Sequence, residues 1–181
     1  MLYIIRHGKV DYRPHGYCDS GMFDRDCEGY DHAPVTDEDY TAPDTGCRKI
    51  FISTLSRSRQ TAGRLFGEEE FIVSELIDEV PLVSAFDTKM KFPAWFWKVA
   101  GRVQWFLNSP RQLEGRARTL ERAREFITMV CKDDEDAVVV THGFFMHALL
   151  SELRKAGFCT DHSRVRYKNG ECIVARRQAD T

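Results

Sequence analysis

Leu2-Tyr3-Ile4-Ile5-Arg6-His7-Gly8 is a short apolar run of strand-forming residues that stops on an arginine, a histidine and a glycine. A run of this kind, bounded by glycine, reads as a fully buried strand. In an open parallel sheet the ligand crevice lies beyond the carboxyl ends of the strands. Arg6 and His7 are therefore expected at a crevice, one as a permanent cation and the other as a nucleophile. A single histidine after a strand is more often structural than functional, but two later segments repeat the design.

The first repeat is Lys49-Ile50-Phe51-Ile52-Ser53, a strand signal that runs into Thr54-Leu55-Ser56-Arg57-Ser58-Arg59-Gln60-Thr61-Ala62. Ser53, Thr54 or Ser56 would cap a helix ending near Gly67. The second is Ala137-Val138-Val139-Val140-Thr141, a β-branched run that reads as a central strand and ends in His142-Gly143. Residues 144–155 then read as a helix with Gly157 as its stop. If the three strands are parallel neighbours, Arg6, His7, Arg57 and His142 converge at one sheet edge. Like charges gather in a crevice only around a shared anion, and an arginine fork matches phosphate or carboxylate oxygens bidentately. The N-terminal end of the helix near Arg57 adds to the positive potential. These features describe a site for a tetrahedral dianion with a nucleophile inside it.

The remaining segments are less directive. Residues 9–47 are polar and too long for a simple connection, and residues 21–30 are compatible with a short helix. Glu68 to Glu70 reads as a solvated loop and residues 71–73 as a third strand, followed by the acids Glu75, Asp78 and Glu79. Residues 92–107 hold all three tryptophans; Trp95, Phe96, Val99, Val103, Phe106 and Leu107 recur at helical spacing. This stripe reads as the core face of a helix, or alternatively as a lid over a substrate pocket, with Trp97 and Trp105 off the stripe. Leu120, Ala123, Ile127 and Val130 mark an amphipathic helix. Residues 164–167 and 172–175 flank Asn169-Gly170, a hairpin signal. Strands alternating with helices argue an α/β domain with a largely parallel sheet.

With 181 residues, 43% of them hydrophobic and 30% charged, the chain has the composition of an ordinary globular domain. A net charge of −2 gives no global basic field to recommend nucleic acid as a partner. No apolar run approaches the roughly 18 to 20 residues that span a bilayer, so no membrane partner is expected. The N-terminus lacks the features of a signal peptide, which gives an expectation of a cytoplasmic protein whose six cysteines stay reduced. There is no Cys-x-x-Cys pair, and His142 and His147 are spaced wrongly for one helical face; no metal site and no cofactor are expected.

Together, Arg6-His7-Gly8, the block Ser53-x-Leu55-x-Arg57-Ser58-x-x-Thr61-Ala62 and Thr141-His142-Gly143 resemble the histidine phosphatase superfamily, also called phosphoglycerate mutase-like, in order and in placement after strands. The resemblance implies a three-layer α/β/α sandwich with a mostly parallel sheet and a C-terminal hairpin or antiparallel edge strand. It would form one domain over residues 1–181, with an aromatic lid or cap segment around 80–113. It further implies two-step phosphoryl transfer through a phosphohistidine on His7. Arg6, Arg57 and His142 would hold the phosphoryl oxygens, with Gly143 beside them and His142 most useful in its protonated form. Glu79 best matches the family's proton donor, with Asp78 and Glu75 as rivals. The expected protein is a metal-independent, histidine acid phosphatase-like phosphomonoesterase acting on a phosphorylated small molecule, or on a phosphoprotein.

The chain departs from the family pattern in three places. Lys9 stands where an acid is common. Val35-Thr36-Asp37-Glu38 begins the usual helix before the second strand, but Pro43 and Gly46 interrupt it. Glu114-Gly115 with Arg122 replaces the later Glu-Ser pair. The chain is also short for the mutases, so a phosphatase is expected over a mutase. A phospho-ligand binding protein without turnover is the alternative of a different class.

Overall fold

The computed structural model describes residues 1–67, 70–132, 135–162, 165 and 168–178. Six strands form the central sheet: β1 (Leu2–Arg6), β3 (Lys49–Ile52), β4 (Phe71–Val73), β6 (Ala137–Thr141), β7 (Phe158–Thr160) and β8 (Cys172–Arg177). Their spatial order is β4-β3-β6-β1-β8-β7. β4, β3, β6 and β1 run parallel, while β8 is antiparallel to both β1 and β7. The order of parallel strands with helical crossovers, closed by an antiparallel edge, is the expected fold class.

The alternation of side chains along each strand divides the core into two faces. Leu2 and Ile4 of β1, Phe51 of β3, and Ala137 and Val139 of β6 point to one side. There they meet α4 (Arg116–Val130) and α5 (Gly143–Lys155), with Phe126 edge-on to Phe51 at 5.5 Å between ring centres. Ile5, Ile50, Ile52, Val138 and Val140 point the other way, towards Ala62 and the partly buried Leu65 and Phe66 of α2 (Ser56–Phe66). The three central strands are apolar on both faces because helices cover both.

Helix α2 ends at Gly67, whose φ of 76° is one that glycine adopts without a steric penalty. Its start differs from the expected side-chain cap: Leu55 occupies the cap position with no side-chain hydrogen bond. Ser53 is occupied elsewhere, in the site, and only its Oγ accepts the Leu55 N–H at 3.3 Å.

Residues 9–48 hold more structure than their composition suggested. β2 (Tyr17–Cys18) leads into α1 (Ser20–His32), capped by the Asp19 carboxylate accepting the Met22 N–H at 2.9 Å. No helix follows before β3; residues 38–48 run without regular structure. Val10 and Val35 form an isolated bridge, and Lys9 pairs with Glu38 at 2.8 Å. The Lys9–Glu38 pair thus links the loop after β1 to this irregular segment.

The aromatic helix α3 (Ala94–Phe106), which follows β5 (Phe92–Pro93), overturns the expected core face. Trp97 is fully buried with Phe23 and Cys18 and donates its indole N–H to the Cys18 carbonyl at 3.0 Å. Gly101, one turn on, lets Leu82 approach so closely that a Cβ there would lie 2.5 Å from a Leu82 methyl. Trp105 completes this inner face, bonded to Thr119. The stripe of Trp95, Val99, Val103 and Phe106 faces outward. Both faces of α3 carry apolar residues at helical spacing, and the indole of Trp97 with the small Gly101 decides which packs.

The Asn169-Gly170 turn is present, with Gly170 at φ 70° and its N–H bonded to the Arg6 carbonyl at 3.1 Å. The edge strand paired with β8 is β7, whose Phe158 is buried in the main core. The expected hairpin arm lies outside the described residues at Arg164, Arg166 and Tyr167, as do Glu68 and Glu69 of the acidic run.

Candidate active site

The register of the sheet brings the motif residues together. Arg6 pairs with Thr141 and Ile52 with Val140, so His7, Ser53 and His142 emerge side by side from three parallel strand ends. Side chains of the Ser-Arg motif tie these ends into one unit. Ser58 Oγ accepts the Ser53 N–H at 3.0 Å and donates to the Val140 carbonyl at 2.6 Å. Thr61 Oγ1 accepts the Gly8 N–H at 2.8 Å and donates to the Arg57 carbonyl at 2.7 Å. From the far side, Asn169 donates to the His7 carbonyl at 3.0 Å.

Two glycines leave room for a close ring contact here. The Tyr40 ring packs against the loop, and a Cβ would approach it to 3.0 Å from Gly8 and to 2.2 Å from Gly170. Tyr40 also accepts the Lys9 N–H at 2.9 Å. Residue 40 was not anticipated as part of the site; its segment has no motif or periodicity to mark it.

His7 is 2% exposed, its ring centre 5.0 Å from that of His142. Its Nδ1 lies 2.7 Å from the Gly8 carbonyl oxygen. A carbonyl only accepts, so Nδ1 carries the proton and Nε2 keeps its lone pair. Burial, then the Arg57 guanidinium and more weakly that of Arg6, push the imidazole down to about 3.

Arg57 is fully buried. Its Nε donates to His142 Nδ1 at 3.2 Å and its Nη1 to Asp31 Oδ1 at 2.9 Å, and the guanidinium carbon lies 5.3 Å from the Tyr30 ring centre. Nη2 has no partner among the described residues. Because His142 Nδ1 accepts from a guanidinium, it is unprotonated, and the proton on Nε2 is donated to Ser53 Oγ at 2.7 Å. His142 was expected as a cation; it is neutral, held well below the usual range by burial and by Arg57. Asp31 and Tyr30, both from α1, were not foreseen.

The three candidate acids have separate partners. Asp78 is tied to Thr54, accepting its N–H at 2.7 Å and its hydroxyl at 2.5 Å. Glu75 is exposed. Glu79 lies against the N-terminus of α5, where Oε1 accepts the Phe145 N–H at 3.0 Å. That is a favourable place for a carboxylate, because the first N–H groups of a helix lack internal partners. The loop carrying these acids is held by buried Arg122, which donates to the carbonyls of Glu75, Leu76 and Asp78 and pairs with Glu114 at 3.1 Å. Thr141 Oγ1 adds a bond to the Ile77 carbonyl at 2.6 Å.

A cavity of about 730 Å³ opens over this arrangement. Arg6, Arg57, Glu79 and Gly143 line it, as do Asp31 and Tyr30, while the buried His7 and His142 are not among its lining residues. Phe23, Leu55, Leu76, Leu82 and Phe144 supply an apolar wall. None of the three tryptophans lines the cavity; α3 contributes Ala94, Lys98 and Arg102 to it. Among the described residues no group of three or more His, Cys, Asp or Glu side chains is arranged to hold a metal ion.

The site is thus a basic pocket at the carboxyl ends of a parallel sheet, with two imidazoles tilted at 51° to each other beside a buried guanidinium. The chain belongs to the histidine phosphatase superfamily (branch 1), whose family model matches residues 2–180. No curated protein sequence matches the chain significantly. Solved structures of similar fold include a phosphoserine phosphatase mutant from Entamoeba histolytica in complex with phosphoserine, at 18% identity and a TM-score of 0.53 over 85% of this chain and 79% of that one. A mycobacterial glucosyl-3-phosphoglycerate phosphatase is 17% identical, TM-score 0.55, over 85% and 79%. The α-ribazole phosphatase of Shigella flexneri is 14% identical, TM-score 0.54, over 84% and 78%.

The low affinity of His7 for a proton makes stability depend on pH. Its folded value of about 3 lies below the ordinary 6.5, so the unfolded chain takes up a proton that the native state refuses. Stability is lost as pH falls from 6.5 towards 3. His7→Gln is expected to flatten the dependence of unfolding free energy on pH by about 1.4 kcal/mol per unit between pH 6 and 4. Urea unfolding at several pH values measures this; parallel profiles would show that His7 is protonated in the native state.

Proposed function

We propose that this chain is a metal-independent phosphomonoesterase that works through a phosphohistidine on His7. The observation that carries the reading is the bond from His7 Nδ1–H to the Gly8 carbonyl, which leaves the Nε2 lone pair available in a buried, cationic surround. Nε2 attacks the phosphorus, the ester P–O bond breaks, and the leaving oxygen takes a proton from the Glu79 carboxyl group. In the second step the Glu79 carboxylate takes a proton from water. The resulting hydroxide attacks phosphorus, and the P–N bond breaks to return His7 and inorganic phosphate.

Arg6 and Arg57 hold the phosphoryl oxygens and stabilise the charge spread over them, with Arg57 Nη2 available to a ligand oxygen. His142 positions Arg57 through its Nδ1, and contacts the phosphoryl group by exchanging its bond to Ser53. Gly143 opens α5, and the positive end of that helix faces the same anion. Exposed residues such as Glu75, Lys98 and Arg118 line the cavity mouth. Water therefore has access to the phosphoenzyme, which favours hydrolysis over transfer to a second substrate.

The cavity volume and apolar wall suit a phosphorylated small molecule with an organic part larger than the phosphate itself. Structures of similar fold carry the names of phosphatases of phosphoserine, glucosyl-3-phosphoglycerate and α-ribazole compounds, which supports this class of substrate. Asp31 takes the place of a phosphoryl oxygen on Arg57 and gives way when substrate binds.

Hydrolysis of an aryl phosphate in EDTA tests the reading. Wild type is expected to turn over, and His7→Ala to lose at least about a thousandfold. Glu79→Ala is expected to lose about a hundredfold or more on an alkyl phosphate and less on an aryl one, whose leaving group needs no proton. Turnover that EDTA abolishes, or that His7→Ala retains, would contradict it. Asp31→Asn is expected to tighten vanadate about two- to fivefold, since it removes a competing, partly exposed ion pair; weaker vanadate binding would instead make Asp31 a support of Arg57.

A further inference from the structure

The outward face of α3 has the character of a contact surface. Trp95, Val99, Val103 and Phe106, one helical stripe, are 65%, 56%, 53% and 58% exposed, and Leu107 at its end is 69% exposed. Single exposed apolar residues are ordinary on a protein surface, but a continuous stripe of this size is not. In the segment before the helix, Phe86 packs edge-on against Phe92 and Phe96 and is 42% exposed, and Met90 is 68% exposed.

The segment that carries this face is rich in cations. Residues 86–118 contain seven Lys and Arg against two Asp and Glu, in a chain whose net charge is −2. Both acids are already paired, Asp87 with Arg111 and Glu114 with Arg122. Lys89, Lys91 and Lys98 are exposed, and exposed Arg116 sits with its guanidinium 5.2 Å from the Phe106 ring centre. A Trp- and Phe-bearing apolar stripe rimmed by Lys and Arg is the pattern of a helix that lies in a lipid–water interface, rings at the acyl boundary and cations at the headgroups.

We propose that the α3 face is a docking surface for an anionic lipid bilayer. A second copy of the chain fits less well, since a two-fold contact would set the basic rim against itself. The composition suggested no membrane partner because no segment spans; among the described residues no helix is long and apolar enough to cross a membrane, and an interfacial face needs none. Ala94 and Lys98 of the same helix line the catalytic cavity, so docking sets the cavity mouth beside the lipid surface.

Co-sedimentation with vesicles tests this, using phosphatidylcholine alone and a phosphatidylcholine–phosphatidylserine mixture at low and high salt. Wild type is expected to sediment with the mixture at low salt, with its tryptophan emission shifted to the blue, and to be released by high salt. Lys91→Glu with Arg116→Glu should weaken binding at least about twentyfold, from about 1 kcal/mol for each basic residue. Val103→Ser with Phe106→Ser should also abolish it, with folding of both variants verified by circular dichroism. Folded wild type that stays in the supernatant with the mixture, or variants that bind as well as wild type, would overturn the proposal. So would a wild-type dimer in sedimentation equilibrium that Val103→Ser with Phe106→Ser converts to monomer, which would assign the face to a second copy.

Discussion

The buried guanidinium of Arg57 is the constraint on which the site depends. Removing a cation from water costs several kcal/mol unless partners offset it. Here the partners are one neutral imidazole and one carboxylate, Asp31, whose side chain is 42% exposed. Burial first, and then this same charge, depress proton binding at both His7 and His142. The buried cation thus reinforces the neutral state that burial favours in both imidazoles. The helix that carries Arg57 also carries Ser58 and Thr61, whose hydroxyls fasten β3 to β6 and α2 to the loop after β1. Fold and site are therefore secured by the same turn of helix.

Support for this arrangement comes from several directions. The parallel register delivers His7 and His142 level with one another at the ends of adjacent strands. The 168–171 turn holds the main chain on either side of Arg6, through Gly170 N–H and the Glu171 carbonyl. Arg122 and Thr141 hold the acid loop by its carbonyls, which fixes where Glu79 meets α5. α1 stands over Arg57 with Tyr30 and Asp31, and α3 closes the outer wall. These two helices share a small core of their own around Trp97, separate from the main one.

Much of this was legible in the sequence wherever residue type and local pattern carry the same message. The strand ends at Arg6-His7, Ser53 and Thr141-His142 were legible because buried parallel strands are continuous apolar runs, and ionic residues at their ends need a reason. Ser58 and Thr61 belonged to a recognisable block, although their bonds were not evident from it. The failures have physical causes. Periodicity identified α3 but not its orientation, because a helix apolar on two sides is oriented by volume, here Trp97 against Gly101. The charge state of His142 depends on which ring nitrogen meets Arg57, a three-dimensional fact. Asp31 and Tyr40 reach the site from segments of mixed polar composition in which no position stands out.

The central claim is that phosphorus passes through His7 Nε2, and rapid quenching during turnover, followed by mass spectrometry of the peptides, tests it most directly. The account predicts a phosphoryl group on the peptide containing His7, stable in alkali, lost in acid and absent from His7→Ala. Turnover with no such adduct under quench conditions that preserve phosphohistidine, or with the phosphoryl group on another residue, would contradict it.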